Sequence, residues 1–136
     1  LATRVLKNAY LSINSVNLSP HVASITTNFQ IDTPEDTAMG DNAHSYLPGG
    51  LEANAFSVVF NSDDAAGAVS ATLWAARGLT VPFEIRADAG AVAVTNPKYT
   101  GNCLYTGSTP VDGSVGETQL DSATFQGSTV VTRATA

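Results

Sequence analysis

The stretch His21-Val-Ala-Ser-Ile-Thr-Thr-Asn-Phe-Gln-Ile31 decides the fold class. Ala23, Ile25, Thr27, Phe29 and Ile31 fall on one side of an extended chain; Ser24, Thr26, Asn28 and Gln30 fall on the other. Such sustained alternation is the mark of a β-strand, whose successive side chains point to opposite faces. The second face carries hydroxyls and amides but no charge. It suits a channel wall or a subunit contact as well as an ordinary solvated sheet face.

Reading outward from this strand, the same period recurs. Ala9 to Asn14 alternates, Asn14-Ser15 signals a turn, Val16 to Leu18 returns as a short strand, and Ser19-Pro20 marks an edge or break. On the other side lies a long loop (about 32-50), from Asp32 to Gly50. Loops beyond about 12–15 residues in compact domains are usually functional or disordered. This one mixes carboxylates and turn formers with Met39, Tyr46 and Leu47, which a purely solvated loop has little reason to carry. Contact with a partner is therefore expected.

Leu51 to Phe60 resumes as a strand with Asn54, Phe56, Val58 and Phe60 on one face. A helix is expected over about 63-77. Asn61 or Ser62 can cap it, Asp63 and Asp64 complement its dipole, and Ala66, Val69, Leu73 and Ala76 lie near one face. Arg77 falls in the last turn and Gly78 ends it. Further strands are expected over Leu79–Ala87 (with Pro82 marking an edge or bulge), Val92–Thr95, Lys98–Thr106, Thr118–Gln126 and Ser128–Thr135, with Gly107–Gly116 as turns. The pattern predicts a mainly β chain, a β-sandwich or small barrel of seven to eight strands with one flanking α-helix.

Composition bounds the function. A chain of 136 residues is expected to be one domain, 1-136. Its formal charge is −6, from 6 Lys+Arg against 12 Asp+Glu, and the basic residues are scattered. Without a basic stripe, neither duplex binding nor a polybasic membrane contact is expected. Charged residues make up 13% of the chain, so the polar surface rests on its 16 Thr and 12 Ser and on its amides. Cys103 is the sole cysteine, which excludes an intrachain disulfide and a cysteine zinc cage. No apolar run approaches the roughly 18 residues of a membrane span, so no membrane anchor is expected. Leu1 is what a non-AUG bacterial start codon gives when translated literally. That leads to the expectation of a full-length prokaryotic or phage chain.

The residues that could carry chemistry are few. His21 and His44 are far apart in sequence and far from Cys103, so no metal spacing appears, and each is read as a surface or hydrogen-bonding residue. No nucleophile elbow or phosphate loop is present; Gly113-Ser-Val-Gly116 lacks the lysine and helix that would follow. Cys103 is read as a buried apolar residue. Trp74 is read as a core or interface anchor, with a sugar platform as the alternative. No enzyme activity and no cofactor are expected.

Several segments resemble the small major tail proteins, or tail tube proteins, of siphophages that infect actinobacteria. They are the opening Ala2-Thr-Arg-Val-Leu-Lys-Asn-Ala-Tyr-Leu-Ser-Ile-Asn-Ser-Val-Asn-Leu-Ser19, Thr37-Ala-Met-Gly-Asp41, and Asp88-Ala-Gly-Ala91 with Thr95-Asn-Pro-Lys-Tyr-Thr-Gly101. Pro110-Val-Asp-Gly-Ser-Val-Gly116, Phe125-Gln-Gly127 and Thr132-Arg-Ala-Thr-Ala136 complete the series in matching order. The resemblance implies a structural virion protein, made in the host cytoplasm and assembled into the phage tail. Hexameric rings would stack into a tube through which DNA passes without specific binding. Tail terminator, tape measure and tail-tip proteins would be its other partners.

The resemblance also implies roles for residues. The long loop would reach the adjacent ring, with Pro34, Glu35, Asp36, Met39, Asp41, His44, Tyr46 and Leu47 as inter-ring contacts. Ser24, Thr26, Asn28 and Gln30 become the candidate lumen face, joined by Glu84 and Arg86. The alternative is a monomeric β-sandwich binding module, for carbohydrate binding or capsid decoration, with Trp74 or tyrosines as the platform.

Overall fold

The computed structural model describes residues 3–136; the expectation attached to Leu1, and the Ala2 that opens the resemblance, lie outside the described residues. The strands are β1 (Tyr10–Ile13), β2 (Val16–Asn17), β3 (Val22–Ile31), β4 (Glu52–Asn61), β5 (Thr80–Arg86), β6 (Lys98–Asp112), β7 (Leu120–Gly127) and β8 (Thr132–Ala134). A 3-10 turn, Ser19–His21, leads into β3, and one helix, α1 (Val69–Ala76), lies between β4 and β5. The chain is mainly β with a single helix, as its alternation predicts.

All eight strands belong to one antiparallel sheet of order β2-β1-β5-β6-β7-β4-β3, with β8 beside β6. The sheet folds over on itself. In a flat sheet β4 and β5 would stand about 14 Å apart, three strand spacings. Yet Phe56 of β4 and Phe83 of β5 bring their ring centroids to 4.8 Å. β6 is the shared strand at the fold. Its first half pairs with β5 and β8, and its second half with β7. One layer is therefore β2-β1-β5-β6-β8 and the other β6-β7-β4-β3, which gives a sandwich in cross-section from a single sheet. Leu11, Ile13, Phe56, Val58, Phe60, Phe83, Ile85 and Phe125 fill the space between the layers.

Local chemistry explains the turns. Asn14 and Ser15 both have positive φ, 52° and 66°, the pattern of a two-residue hairpin turn whose twist matches the flanking strands. Pro82, expected at an edge, sits in a strand flanked by β1 and β6. Its carbonyl accepts a hydrogen bond from Asn14 N–H, just past Ile13–Phe83, the last β1–β5 pair. The proline thus turns its missing donor toward the hairpin turn rather than toward a paired strand.

Three elements differ from expectation. The helix is shorter than 63-77. Asp63 Oδ1 accepts from the Ala65 N–H at 2.9 Å, and Gly67 takes φ +75°, so residues 62–68 form an irregular turn instead of the first helical turns. Asn61, Ser62 and the two aspartates supply no side-chain cap, and the Asp63 carbonyl instead accepts from the Ser70 N–H. Ala66 is exposed, and Val69, Thr72, Leu73 and Ala76 form the buried face. The helix ends at Ala76, so Arg77 is extended beyond it rather than in its last turn, and Gly78 follows with φ +78°. Val92–Thr95 lies in a tight turn closed by reciprocal hydrogen bonds between Ala93 and Asn96, not in a strand. β6 continues through Gly107 and Pro110 to Asp112, because register shifts after Tyr105 and Thr109 absorb them as bulges.

Candidate functional site

Two features stand out from the folded unit: an arm and an open layer. β3 ends at Ile31 and β4 starts at Glu52, and the chain between them forms the long loop. Its two limbs run together. Asp32 N–H donates to Leu51 O, Leu47 N–H to Pro34 O, and Asp36 N–H to Ser45 O. Thr37 Oγ1 accepts from Ser45 N–H at 2.8 Å, and Asp41 Oδ2 accepts from Ala38 N–H at 2.7 Å across the turn at Gly40. His44 Nδ1 stands 3.2 Å from Glu35 Oε1. The arm is therefore ordered by its own backbone and short polar side chains.

Residues 32–49 are all exposed. Pro34, Glu35, Asp36, Met39, Asp41, His44, Tyr46 and Leu47 thus stand together on one projection. Met39 exposes its entire side chain, and Ile31 and Leu51 at the foot of the arm are also exposed. Gly50 permits the foot to close, since a Cβ there would collide with the Asp32 carbonyl oxygen.

The second feature is the layer β6-β7-β4-β3. On its face away from the core, Ser24, Thr26, Asn28 and Gln30 of β3 pair with Val59, Ser57, Ala55 and Ala53 of β4. Val59, Ser57 and Ala55 in turn pair with Ser122, Thr124 and Gln126 of β7. None of these side chains is charged. All four sequence-predicted β3 residues share this surface, and all four are exposed.

Glu84 and Arg86 do not join them. They lie on the outward face of β5, and β5 packs against β4 through the core, so the two outward faces point in opposite directions. There Glu84 pairs with Arg86 at 3.5 Å and with Lys98 at 3.9 Å. The Arg86 guanidinium lies 4.0 Å from the Tyr10 ring centroid and donates to Gly90 O. These groups are engaged with one another.

Both edges of the layer are open. β3 ends the sheet, and its ten residues pair on one side only, with β4. β6 loses its β5 partner after Leu104, so its second half pairs only with β7 apart from a bridge between Tyr105 and Arg77. Sequence reasoning missed this second edge, because the bulges at Gly107 and Pro110 read as turns.

The remaining titratable groups are dispersed over the fold. Cys103 is buried, and burial pushes its thiol pKa up to about 12. Asp121 is buried on the core face of β7; burial, and then the Asp64 carboxylate, raise its pKa. His21 Nε2 is 3.9 Å from Asp63 Oδ2. Among the described residues, no three His, Cys, Asp or Glu side chains converge as a metal site would require. Among these residues no helix is long and apolar enough to cross a membrane either. Trp74 is not a core residue: it is 62% exposed, with the Arg77 guanidinium 4.7 Å from its ring centroid.

No protein-family model matches the sequence, and no curated protein matches it either. Solved structures do match in shape. A chain of the native gene transfer agent virion superposes with a TM-score of 0.74 at 13% identity, over 97% of this chain and 99% of that one. A chain of the C6-symmetric tail of an empty gene transfer agent particle gives 0.67 at 14% identity, over 84% and 82%. A chain of the anti-feeding prophage cap, which terminates a tube, gives 0.66 at 14% identity, over 95% and 89%. This chain therefore shares the fold of these virion, tail and tube-cap chains.

Proposed function

We propose that the chain is a tail tube subunit, a structural rather than catalytic protein that forms hexameric rings and stacks them into a conduit for phage DNA. The observation that carries this reading is the pair of open edges on one layer, whose outward face is uncharged from Ser24 to Gln30 and at the β4 and β7 residues paired beside them. The strands β6, β7, β4 and β3 alternate in direction, so β3 runs antiparallel to β6. A second copy in the same orientation can then place its β6 beside β3 and continue the alternation. Repetition closes a barrel and removes both edges, which would otherwise promote uncontrolled association. Six copies, the symmetry of the matched gene transfer agent tail, give 6 × 4 = 24 strands.

The face of Ser24, Thr26, Asn28 and Gln30 then lines the lumen. Hydroxyls and amides offer DNA no cationic grip, and six copies carry 6 × −6 = −36 formal charges. Glu84 and Arg86 belong to the outer wall in this arrangement. The arm, with no buried residue of its own between 32 and 49, serves contact between rings. Siphophage tails, with tail terminator, tape measure and tail-tip proteins as further partners, are the assembly this reading assigns, built in the bacterial cytoplasm.

Electron microscopy of the purified protein tests the function. Rings or tubes, and virion tails decorated along their length by an antibody to the chain, are the expected result. A strictly monomeric protein that binds glycans would overturn it.

A further inference from the structure

At the Glu52 end of β4 the two layers part and leave an open mouth of about 190 Å³, lined by Phe29, Ile31, Asn54, Tyr99, Val131 and Arg133 among others. Phe29 of β3 and Tyr99 of β6 face each other across it, with ring centroids 6.0 Å apart. We propose that this mouth receives the β6–β7 turn of a second copy, Gly113-Ser-Val-Gly116, with Val115 entering between the layers and Asp112 and Glu117 set toward Arg133. The inference rests on the tube reading and adds a contact between rings that is separate from the arm.

Position is the first support. Ile31 pairs with Glu52 at one end of β4, while at the other end Asn61 pairs with Leu120, which also faces Asp112. Mouth and turn therefore stand at opposite ends of one layer, about 30 Å apart at the usual strand rise. Ring closure through β3 and β6 uses the lateral edges of that layer and leaves its two ends facing along the tube. Stacking then brings the turn end of one ring against the mouth end of the next, a head-to-tail contact that repeats without closing. β3 pairs through its backbone edge and the mouth opens at its end, so the two contacts use different surfaces.

Shape and polarity are the second. Turn tips are ordinarily polar, yet Val115 is wholly exposed at this one. The turn is formed before it meets a partner: Glu117 N–H donates to Ser114 O at 3.0 Å, and Gly116 takes φ +89°. Little ordering cost accompanies its contact. The mouth offers a matching apolar rim, since Ile31 is exposed, as are Leu51 and Val130 beside Glu52 and Val131.

Charge is the third. Among the described residues neither Asp112 nor Glu117 has an ion-pair partner, and Arg133 bonds only to the Tyr99 hydroxyl. Glu52, the carboxylate of the mouth, already accepts from Asn54 Nδ2 at 3.0 Å and from Val131 N–H at 3.3 Å. The turn thus carries unpaired carboxylates and the mouth an unpaired guanidinium. Contact between unlike ends is favoured over contact between like ends, which gives the stack one direction.

A crosslink in the full chain tests the contact. Val115→Cys with Val131→Cys places one thiol on the turn and one in the mouth, and native Cys103 is buried and does not compete. Mild oxidation of assembled tubes is expected to give a ladder of covalent multimers on non-reducing gels, absent from either single variant. A disulfide requires Cα atoms within about 7 Å, so the ladder reports seating and not mere proximity. Val115→Asp, at a fully exposed position, is expected to keep the parent's Tm and to give rings that do not stack. Arg133→Glu is expected to do the same, and Asp112→Lys with Glu117→Lys added to it restores tubes. Tubes without a ladder, or tubes from Val115→Asp as abundant as the parent's, overturn the mouth contact and leave the tube reading standing. Failure of the unaltered chain to form tubes overturns both.

Discussion

Phe56 lies between two other rings, 4.8 Å from Phe83 and 4.7 Å from Phe125, and so joins both layers of the folded sheet. Phe56→Ala is expected to cost about 3–5 kcal/mol, the range for a large aromatic removed from a close-packed core, measured by urea unfolding. Asp121 behaves in the opposite sense. Its pKa is raised in the folded state, so the native chain holds a proton that the unfolded chain has lost over the interval above the ordinary carboxylate value near 3.9. Its ionised form therefore penalises folding at neutral pH, and the penalty disappears as pH falls through the folded value. Asp121→Asn is expected to raise Tm at pH 7, with the gap to the parent chain closing toward pH 4. Cys103, its thiol pushed up to about 12 and fully enclosed, is expected to resist a thiol reagent at pH 8 until the protein unfolds. Its burial was legible beforehand from its place among alternating aromatics. Asp121 was not, because nothing in Leu-Asp-Ser-Ala-Thr-Phe distinguishes a buried carboxylate from a solvated one.

At the scale of elements, what could be read depended on how local the cause was. The alternation in β3 and β4 survives because each strand has two unlike faces. The start of α1 did not survive. Asp63 forms its own turn with Ala65, and the same short polar residues that cap helices also compete with them. Pro82 misled for a different reason: its neighbour β1 ends one residue before it would need a donor. The arm was legible as a long insertion with misplaced apolar residues, but its hairpin-like pairing was not. Because residues 32–49 bury nothing, deleting Thr37 to Tyr46 is expected to leave Tm nearly unchanged while preventing stacking of rings, read by calorimetry and electron microscopy. Normal tube growth from that deletion would remove the arm from the contact.

At the scale of the whole molecule, the fold class followed from period two, but the folding of the sheet did not. Closure depends on β6 serving both layers, and its bulges disguise it as a strand followed by turns. That closure separates Glu84 and Arg86 from the β3 face and leaves Ser24, Thr26, Asn28, Gln30 and their paired neighbours on β4 and β7 without charge. The chain's acidity first argues only that it does not grip nucleic acid. In the proposed ring, the folded sheet would turn the uncharged side chains of β3 inward and the Glu84–Arg86–Lys98 cluster outward. Thr26→Lys with Asn28→Lys is therefore expected to give tubes that retain DNA at low salt and release it at high salt, in cosedimentation, while unaltered tubes retain none. The most direct test is a cryo-electron microscopy reconstruction of the purified chain's assembly. The account predicts six-fold rings in which β3 of one copy pairs with β6 of the next and Ser24, Thr26, Asn28 and Gln30 face the lumen. A lumen lined instead by Lys7, Lys98 and Arg133 would contradict it.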